Sequence, residues 1–154
     1  MTDTATIRLL NYPLRLSLRS RQHFEELIRE FQLVDLGTES ADGPALPVRL
    51  QQLVSEITTT YRAKADEIEA LRAPAIARGQ ATMDLVYDVP SAARPAIERL
   101  DSVLEEADEF CRQGEHLLTL ATPPDLVQFR RWNLREVLSQ LDGAPPTPWS
   151  GPAE

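Results

Sequence analysis

One cysteine, Cys111, in a chain of 154 residues rules out an intramolecular disulfide, so packing must hold the fold together. Only two histidines occur, His23 and His116, and neither lies three residues after a glutamate. That excludes the inward-facing Glu-x-x-His pairs of a di-metal helix bundle, and no metal or other cofactor is expected. The six glycines all fall in expected loops or near the C-terminus and form no G-x-x-x-x-G-K-[ST], G-x-G-x-x-G or G-x-S-x-G pattern. Nothing therefore cradles a phosphate or raises a serine on a strained elbow. No apolar run approaches the roughly 20 residues that span a bilayer. The stretch Met1–Leu10 lacks the basic start and apolar centre of a signal peptide, so a cytoplasmic location is expected. Lysine is nearly absent too: Lys64 stands against fifteen arginines, which are scattered and do not form a stripe. With a net charge of -8, the chain repels phosphate backbones and anionic membrane surfaces, which excludes nucleic acid and membrane as partners. No catalytic constellation emerges, and the expectation is that the chain is not an enzyme.

What is present is a core. Apolar residues make up 42% and charged residues 26%, within the range of a globular domain large enough to fold without metals or disulfides. The expected organisation is one helical domain over 1–143 and a Pro-rich extended tail over 144–154. The most strongly patterned stretch runs from Pro95 to Asp142. In its first half, Ile97, Leu100, Val103, Leu104, Ala107, Phe110 and Cys111 share one helical face with no charge among them. Between Glu98 and Glu115, seven acids meet only Arg99 and Arg112, a local balance of -5. Such a run is a solvated helix face or a docking surface for a basic partner. In the second half, Thr122-Pro123-Pro124-Asp125 reads as a helix start, with a capping threonine, a proline at the first helical position and a carboxylate in the first turn. The stripe that follows is Leu126, Val127, Leu134, Val137, Leu138 and Leu141, and Arg130 falls in its middle. A guanidinium there keeps its proton and costs several kcal/mol to desolvate unless a carboxylate meets it. Asp108 and Asp101, on the borders of the acidic helix, are the expected partners of a buried ion pair.

Earlier in the chain, Thr6 to Arg19 begins with Ile7, Leu9 and Leu10, passes Pro13 and then alternates Leu14, Leu16 and Leu18 with Arg15, Ser17 and Arg19, while Met83, Leu85, Tyr87 and Val89 alternate against Asp84 and Asp88. Both segments read as extended, although Leu14–Leu18 suits the irregular start of the next helix equally well. Paired, they would form a short ribbon with Arg15 or Arg19 near Asp84 or Asp88. From Ser20 to Leu36 the period becomes 3.6, with Phe24, Leu27, Ile28, Phe31 and Val34 on one face and Gly37 as a stop. Pro47 opens a helix of about 25 residues whose stripe is Leu50, Leu53, Val54, Ile57, Tyr61, Ala65, Ile68 and Leu71, ended or kinked by Pro74. Ser91 is the expected cap of the acidic helix, and Gly114 its stop. The predicted fold is mainly α, an antiparallel bundle of about four helices with a short two-stranded ribbon around Leu16 and Leu85.

Phe129 and Trp132 lie on the flank of the last helix, off its apolar arc. Either the Leu117–Leu120 turn or Trp149 covers them, or they form an exposed anchor, rimmed by Arg131 and Arg135, for a protein partner or a second copy of the chain. These four residues are the partner-binding candidates.

Glu106-Ala107-Asp108-Glu109-Phe110-Cys111-Arg112, Leu117-Leu118-Thr119-Leu120-Ala121-Thr122-Pro123-Pro124 and Phe129-Arg130-Arg131-Trp132 together resemble a family of small uncharacterised actinobacterial proteins. Ser20-Arg21-Gln22-His23 through Arg29-Glu30-Phe31 is similar as well. Members of that family are encoded beside partner-switching regulators, namely anti-sigma kinases, their antagonists and sporulation-type phosphatases. The resemblance implies a regulatory role and carries over no catalytic residue. The chain lacks the ATP-lid glycines of the kinases, and its helical period does not suit the α/β antagonist domain. The leading expectation is thus a non-enzymatic protein–protein interaction module in bacterial signalling. The alternative is a small-molecule or anion sensor with an inter-helix pocket around Arg130, walled by Tyr61 or Trp132.

Overall fold

The computed structural model describes residues 3–37, 48–113 and 121–152, with the backbone alone at 31–37, 48–51, 53–54, 56–63, 110 and 113. Chain order is β1 (Thr4–Pro13), α1 (Leu14–Gly37), α2 (Val48–Ala77), β2 (Thr82–Pro90), a 3-10 turn (Ser91–Ala93), α3 (Arg94–Gln113) and α4 (Pro124–Leu141). The fold is mainly α, with one two-stranded antiparallel sheet among the described residues. Each helix packs against two others: α1 against α2 and α4, and α3 against α2 and α4, while α4 also lies against β1.

The ribbon buries one face. Ile7, Leu9, Leu85, Tyr87 and Val89 are buried, while Thr6, Arg8, Asp84, Val86 and Asp88 are exposed, as the two-residue period of a strand requires. Pairing runs Ile7↔Tyr87 and Leu9↔Leu85, then shifts so that Tyr12 meets Met83. The extra residue is a bulge at Leu10–Asn11. Asn11 adopts φ 56°, a left-handed conformation that asparagine tolerates better than most side chains, and its N–H donates to Asp84 Oδ1 at 3.0 Å. The bulge keeps Tyr12 on the buried face and re-aims the Leu10 carbonyl toward the C-terminal tail.

β1 ends where the second half of an extended segment was expected. Residues Leu14–Arg19 form the first turns of α1, and the ribbon draws on Thr4–Pro13 instead. The alternation misleads because this end of α1 is enclosed on more than one side. Leu14, Leu16 and Ser17 are all buried, with β1 and α4 on one side and α2 on another. Arg19 pairs with Asp125 at 2.8 Å, and Asp88 accepts from Thr6 Oγ1 at 3.0 Å.

Two further expectations are corrected in α2. Pro74 does not end it: the helix continues to Ala77 and stops in a Schellman turn, with Gly79 at φ 81°. There Gly79 N donates to Ile76 O and Gln80 N to Ala75 O. Pro74 is exposed, where its missing N–H leaves no buried carbonyl unpaired. Leu71 is exposed while Arg72 and Ala75 are buried, so the buried stripe turns about the helix in its last turns. The expected stripe from Leu50 to Tyr61, Pro47, Gly114 and the Leu117–Leu120 turn lie outside the described side chains or residues. Neither expected side-chain cap forms. Pro90 precedes the 3-10 turn that contains Ser91, and Pro123 occupies the cap position of α4.

The tail does not project. Trp149 is buried, its N–H donates to Leu10 O at 3.0 Å, and its indole Nε1 donates to Pro152 O at 2.9 Å. Gly151 lies against that ring: an ideal Cβ placed on it would come within 2.5 Å of a Trp149 ring carbon.

Candidate functional site

Arg130 makes three charged hydrogen bonds from α4. Its Nε donates to Asp101 at 3.2 Å, one terminal nitrogen to Glu105 at 2.8 Å and the other to Asp108 at 3.3 Å. The three carboxylates stand at i, i+4 and i+7 of α3, which places them on one side of that helix. Arg130 is 10% exposed and Asp108 0%, whereas Asp101 and Glu105 reach solvent at 40% and 35%. The structure thus brings together Arg130, Asp108 and Asp101, and adds Glu105. Asp108 is held by more than charge: it accepts from Thr122 Oγ1 at 2.6 Å and Thr122 N at 3.0 Å. Thr122, expected to cap α4, instead ties the start of that helix to α3. His23 Nε2 lies 3.3 Å from the same hydroxyl.

All three guanidinium nitrogens of Arg130 are bonded to carboxylates, which makes it a structural node between α3 and α4.

Phe129 and Trp132 are not an exposed anchor. They are 3% and 4% exposed and pack with Tyr12 and Trp149 in an aromatic cluster. Trp149 meets Trp132 edge-on at 5.4 Å and Phe129 at 5.9 Å, and Tyr12 meets Phe129 at 5.5 Å, the spacing and tilt that ring quadrupoles favour. Trp132 Nε1 donates to Thr147 O at 3.1 Å. The flank that looks unpartnered along α4 is covered by the bulged end of β1 and by the tail. Arg131 and Arg135, the other two candidates, are exposed.

A second buried polar group went unread in the sequence. Arg72 donates to Ser17 Oγ at 2.7 Å, Ser17 Oγ donates to the Tyr12 hydroxyl at 2.6 Å, and Arg72 also pairs with Glu69. Burial holds the Tyr12 hydroxyl above its ordinary pKa, opposed by the Ser17 hydrogen bond and the Arg72 charge. This cluster joins β1, α1 and α2. The helical period conceals it, because Arg72 lies next to Leu71 and only the tertiary fold decides which of the two turns inward.

Open to solvent beside the aromatic cluster is a groove of about 630 Å³, formed by the end of α3, the outer stripe of α4 and the tail. Pro124, Val127, Gln128, Arg131 and Arg135 recur at helical spacing along its floor, and Arg112, Trp132, Trp149 and Ser150 complete the walls. Three arginines face one acid, Glu105, which is engaged by Arg130 at 2.8 Å and Arg131 at 2.7 Å. Arg112 pairs with Glu109 at 3.0 Å, and Arg135 has no ion pair among the described residues. In a chain of net charge -8 this is a concave basic surface. Its chemistry suits an anion carrying an apolar body: guanidinium forks for charge, indole edges and Val127 for contact. Cys111 does not contribute a nucleophile. Burial, reinforced by the Asp108 charge, pushes its thiol up to about 11, so it stays protonated near neutrality.

Among the described residues, no group of three or more metal-ligating side chains converges, and no helix is long and apolar enough to cross a membrane. Compared with known proteins, the chain matches no family model, no curated protein and no solved structure.

Proposed function

We propose that this chain is a non-enzymatic interaction module of bacterial signalling that seats an acidic segment of a protein partner in the groove along α4. The observation that carries the reading is the concentration of Arg112, Arg131 and Arg135 around one concavity of an otherwise acidic chain. An acidic segment would exchange solvent for guanidinium forks there, while the rest of the acidic surface repels it elsewhere and so fixes its register. The regulatory context is the one implied by the resemblance of Glu106–Arg112 and Phe129–Trp132 to proteins encoded beside partner-switching regulators. The fixed node at Arg130 supports the reading, because it holds α3 and α4 at constant separation beneath the groove.

Fluorescence anisotropy with a labelled peptide of alternating acidic and aromatic residues tests it. Binding should weaken as salt rises, and should fall at least tenfold in an Arg131→Glu, Arg135→Glu variant. Equal binding by that variant refutes the groove. A second reading, a small anion with an apolar body, is favoured by the groove's volume, which lies within the roughly 300–1,000 Å³ of small-molecule sites. Displacement of the peptide by an aryl phosphate or aryl carboxylate at micromolar concentration would select it.

A further inference from the structure

The tail is held as a ligand would be. Thr147 N donates to Glu136 Oε1 at 2.7 Å, and Thr147 O accepts from Trp132 Nε1 at 3.1 Å. Two residues on, Trp149 N donates to Leu10 O at 3.0 Å, and Trp149 O accepts from Asn11 Nδ2 at 2.8 Å. Four main-chain groups at alternate residues are read by β1 and α4, and the one large side chain of the segment, Trp149, enters a ring of aromatics. One of the four bonds is to main chain, at Leu10 O, and three are to side chains, so the segment is held as a bound extended peptide is, by its main-chain groups and by a pocket that takes its one large side chain. Gln140 already occupies Arg8 N and Arg8 O, at 2.8 and 2.9 Å, so what the edge offers the tail is the next free carbonyl, Leu10 O, presented by the bulge at Asn11.

We propose that this cleft between β1 and α4 is a peptide-recognition site for an extended Thr-Pro-Trp segment, filled here in cis, and that its occupant in trans is the tail of a second copy of the chain. The inference does not depend on the reading of the basic groove. Everything that reads the tail belongs to β1 and α4. A second copy brings the same segment, so exchange breaks and remakes identical contacts. What separates the two states is closure of the connection, Gly143 to Pro146. It leaves α4 through a Schellman turn in which Gly143 sits at φ 88°. A short tether gives the chain's own tail an effective concentration of about millimolar, which keeps the intact chain in the cis state at working dilutions. Shortening the tether removes that advantage and makes the swapped dimer the state that satisfies the cleft.

The test is deletion of Pro145 and Pro146 in the full chain, which shortens its reach by about 7 Å at the extended-chain rise. Light scattering on a sizing column should show a dimer at concentrations at least tenfold below those at which the intact chain associates. Adding Trp149→Ala should return the shortened chain to monomer. In a second arm, a labelled peptide of residues 144–154 is titrated into the full-length Trp149→Ala chain, or into Gly151→Ala should the first lose its helical circular dichroism. It should bind saturably, and at least tenfold more tightly than the same peptide with Trp149 replaced by Ala. A shortened chain that stays monomeric, a dimer indifferent to Trp149→Ala, or a peptide that does not distinguish Trp from Ala overturns the proposal.

Discussion

Replacing Arg130 with Ala should be among the most costly single changes available to this chain, and the structure says where the cost falls. Three carboxylates lose their cation, but not equally. Asp101 and Glu105 are 40% and 35% exposed, so water screens them and each contributes at most about 1 kcal/mol, as surface ion pairs do. Asp108 is fully buried and would keep only the Thr122 N–H and hydroxyl. Leaving a buried charge unpaired costs about 3 to 5 kcal/mol. For a chain of this size, that corresponds to a fall of roughly 10 °C in Tm. Urea unfolding followed by circular dichroism measures it, with an unchanged m-value showing that two-state behaviour is kept. The decisive control is Asp108→Asn in the Arg130→Ala background. Removing the orphaned charge should restore at least about 2 kcal/mol, a coupling far above the error of a double-mutant cycle. A loss below about 1 kcal/mol for Arg130→Ala, or no recovery in the double variant, would mean that solvent reaches Asp108 and the node is a surface feature.

Other outcomes follow from the aromatic cluster and the thiol. Trp132→Ala should cost about 3 to 5 kcal/mol in the same unfolding assay, since a buried indole leaves a cavity; a loss below 1 kcal/mol would contradict its burial. Gly151→Ala should red-shift the emission of the tail tryptophan and leave helical circular dichroism intact, because the new methyl meets the Trp149 ring and not the helices. Unchanged emission would show that the tail does not wrap the indole as described. Cys111 should resist a thiol reagent at pH 8 until urea unfolds the chain; modification at the rate of a free thiol would place it at the surface. The same burial gives an alkaline limb. The folded thiol holds its proton up to about 11 against 9.0 unfolded, and Tyr12 and Tyr87 are likewise raised by burial. The folded state therefore binds more protons above pH 9, and stability should fall between about pH 9 and 11. A flat profile there would refute the shift.

Much of the fold was legible because it rests on period. The alternation from Met83 to Val89 and the 3.6-residue stripe of Ile97, Val103, Leu104, Ala107 and Cys111 both depend on local geometry that any packing partner must respect, and these residues are buried or half-buried as expected. Leu14–Leu18 was ambiguous between strand and helix start for the converse reason, and it is the start of α1. A helix end enclosed by β1, α2 and α4 buries residues 200° apart on its own circumference, and two such leucines mimic a strand. The bulge at Asn11 carried a sequence signal, since asparagine is among the few residues at ease at positive φ, yet asparagine occurs in too many other settings for one instance to announce a bulge.

The site was legible only where a cost had to be met. Arg130 in an apolar arc demands a carboxylate, and the borders of the acidic helix's apolar face supply Asp108 and Asp101. Glu136 and Gln140 made no such demand, because a polar residue on a helix flank is satisfied by water until something covers it. Both are buried here because the tail and the β1 edge arrive: Glu136 accepts from Thr147 N, and Gln140 serves Arg8. Of the two readings open for Trp132, cover by Trp149 is the one the structure shows, its flank being polar in sequence and covered in space. The cover comes from a segment about 15 residues further on, whose prolines give it an extended backbone. Four prolines in the tail do impose extended backbone, but extended backbone is also what a strand edge binds. An extended tail carrying one tryptophan, beside a strand edge with a re-aimed carbonyl, is therefore better read as a docked segment than as a free end.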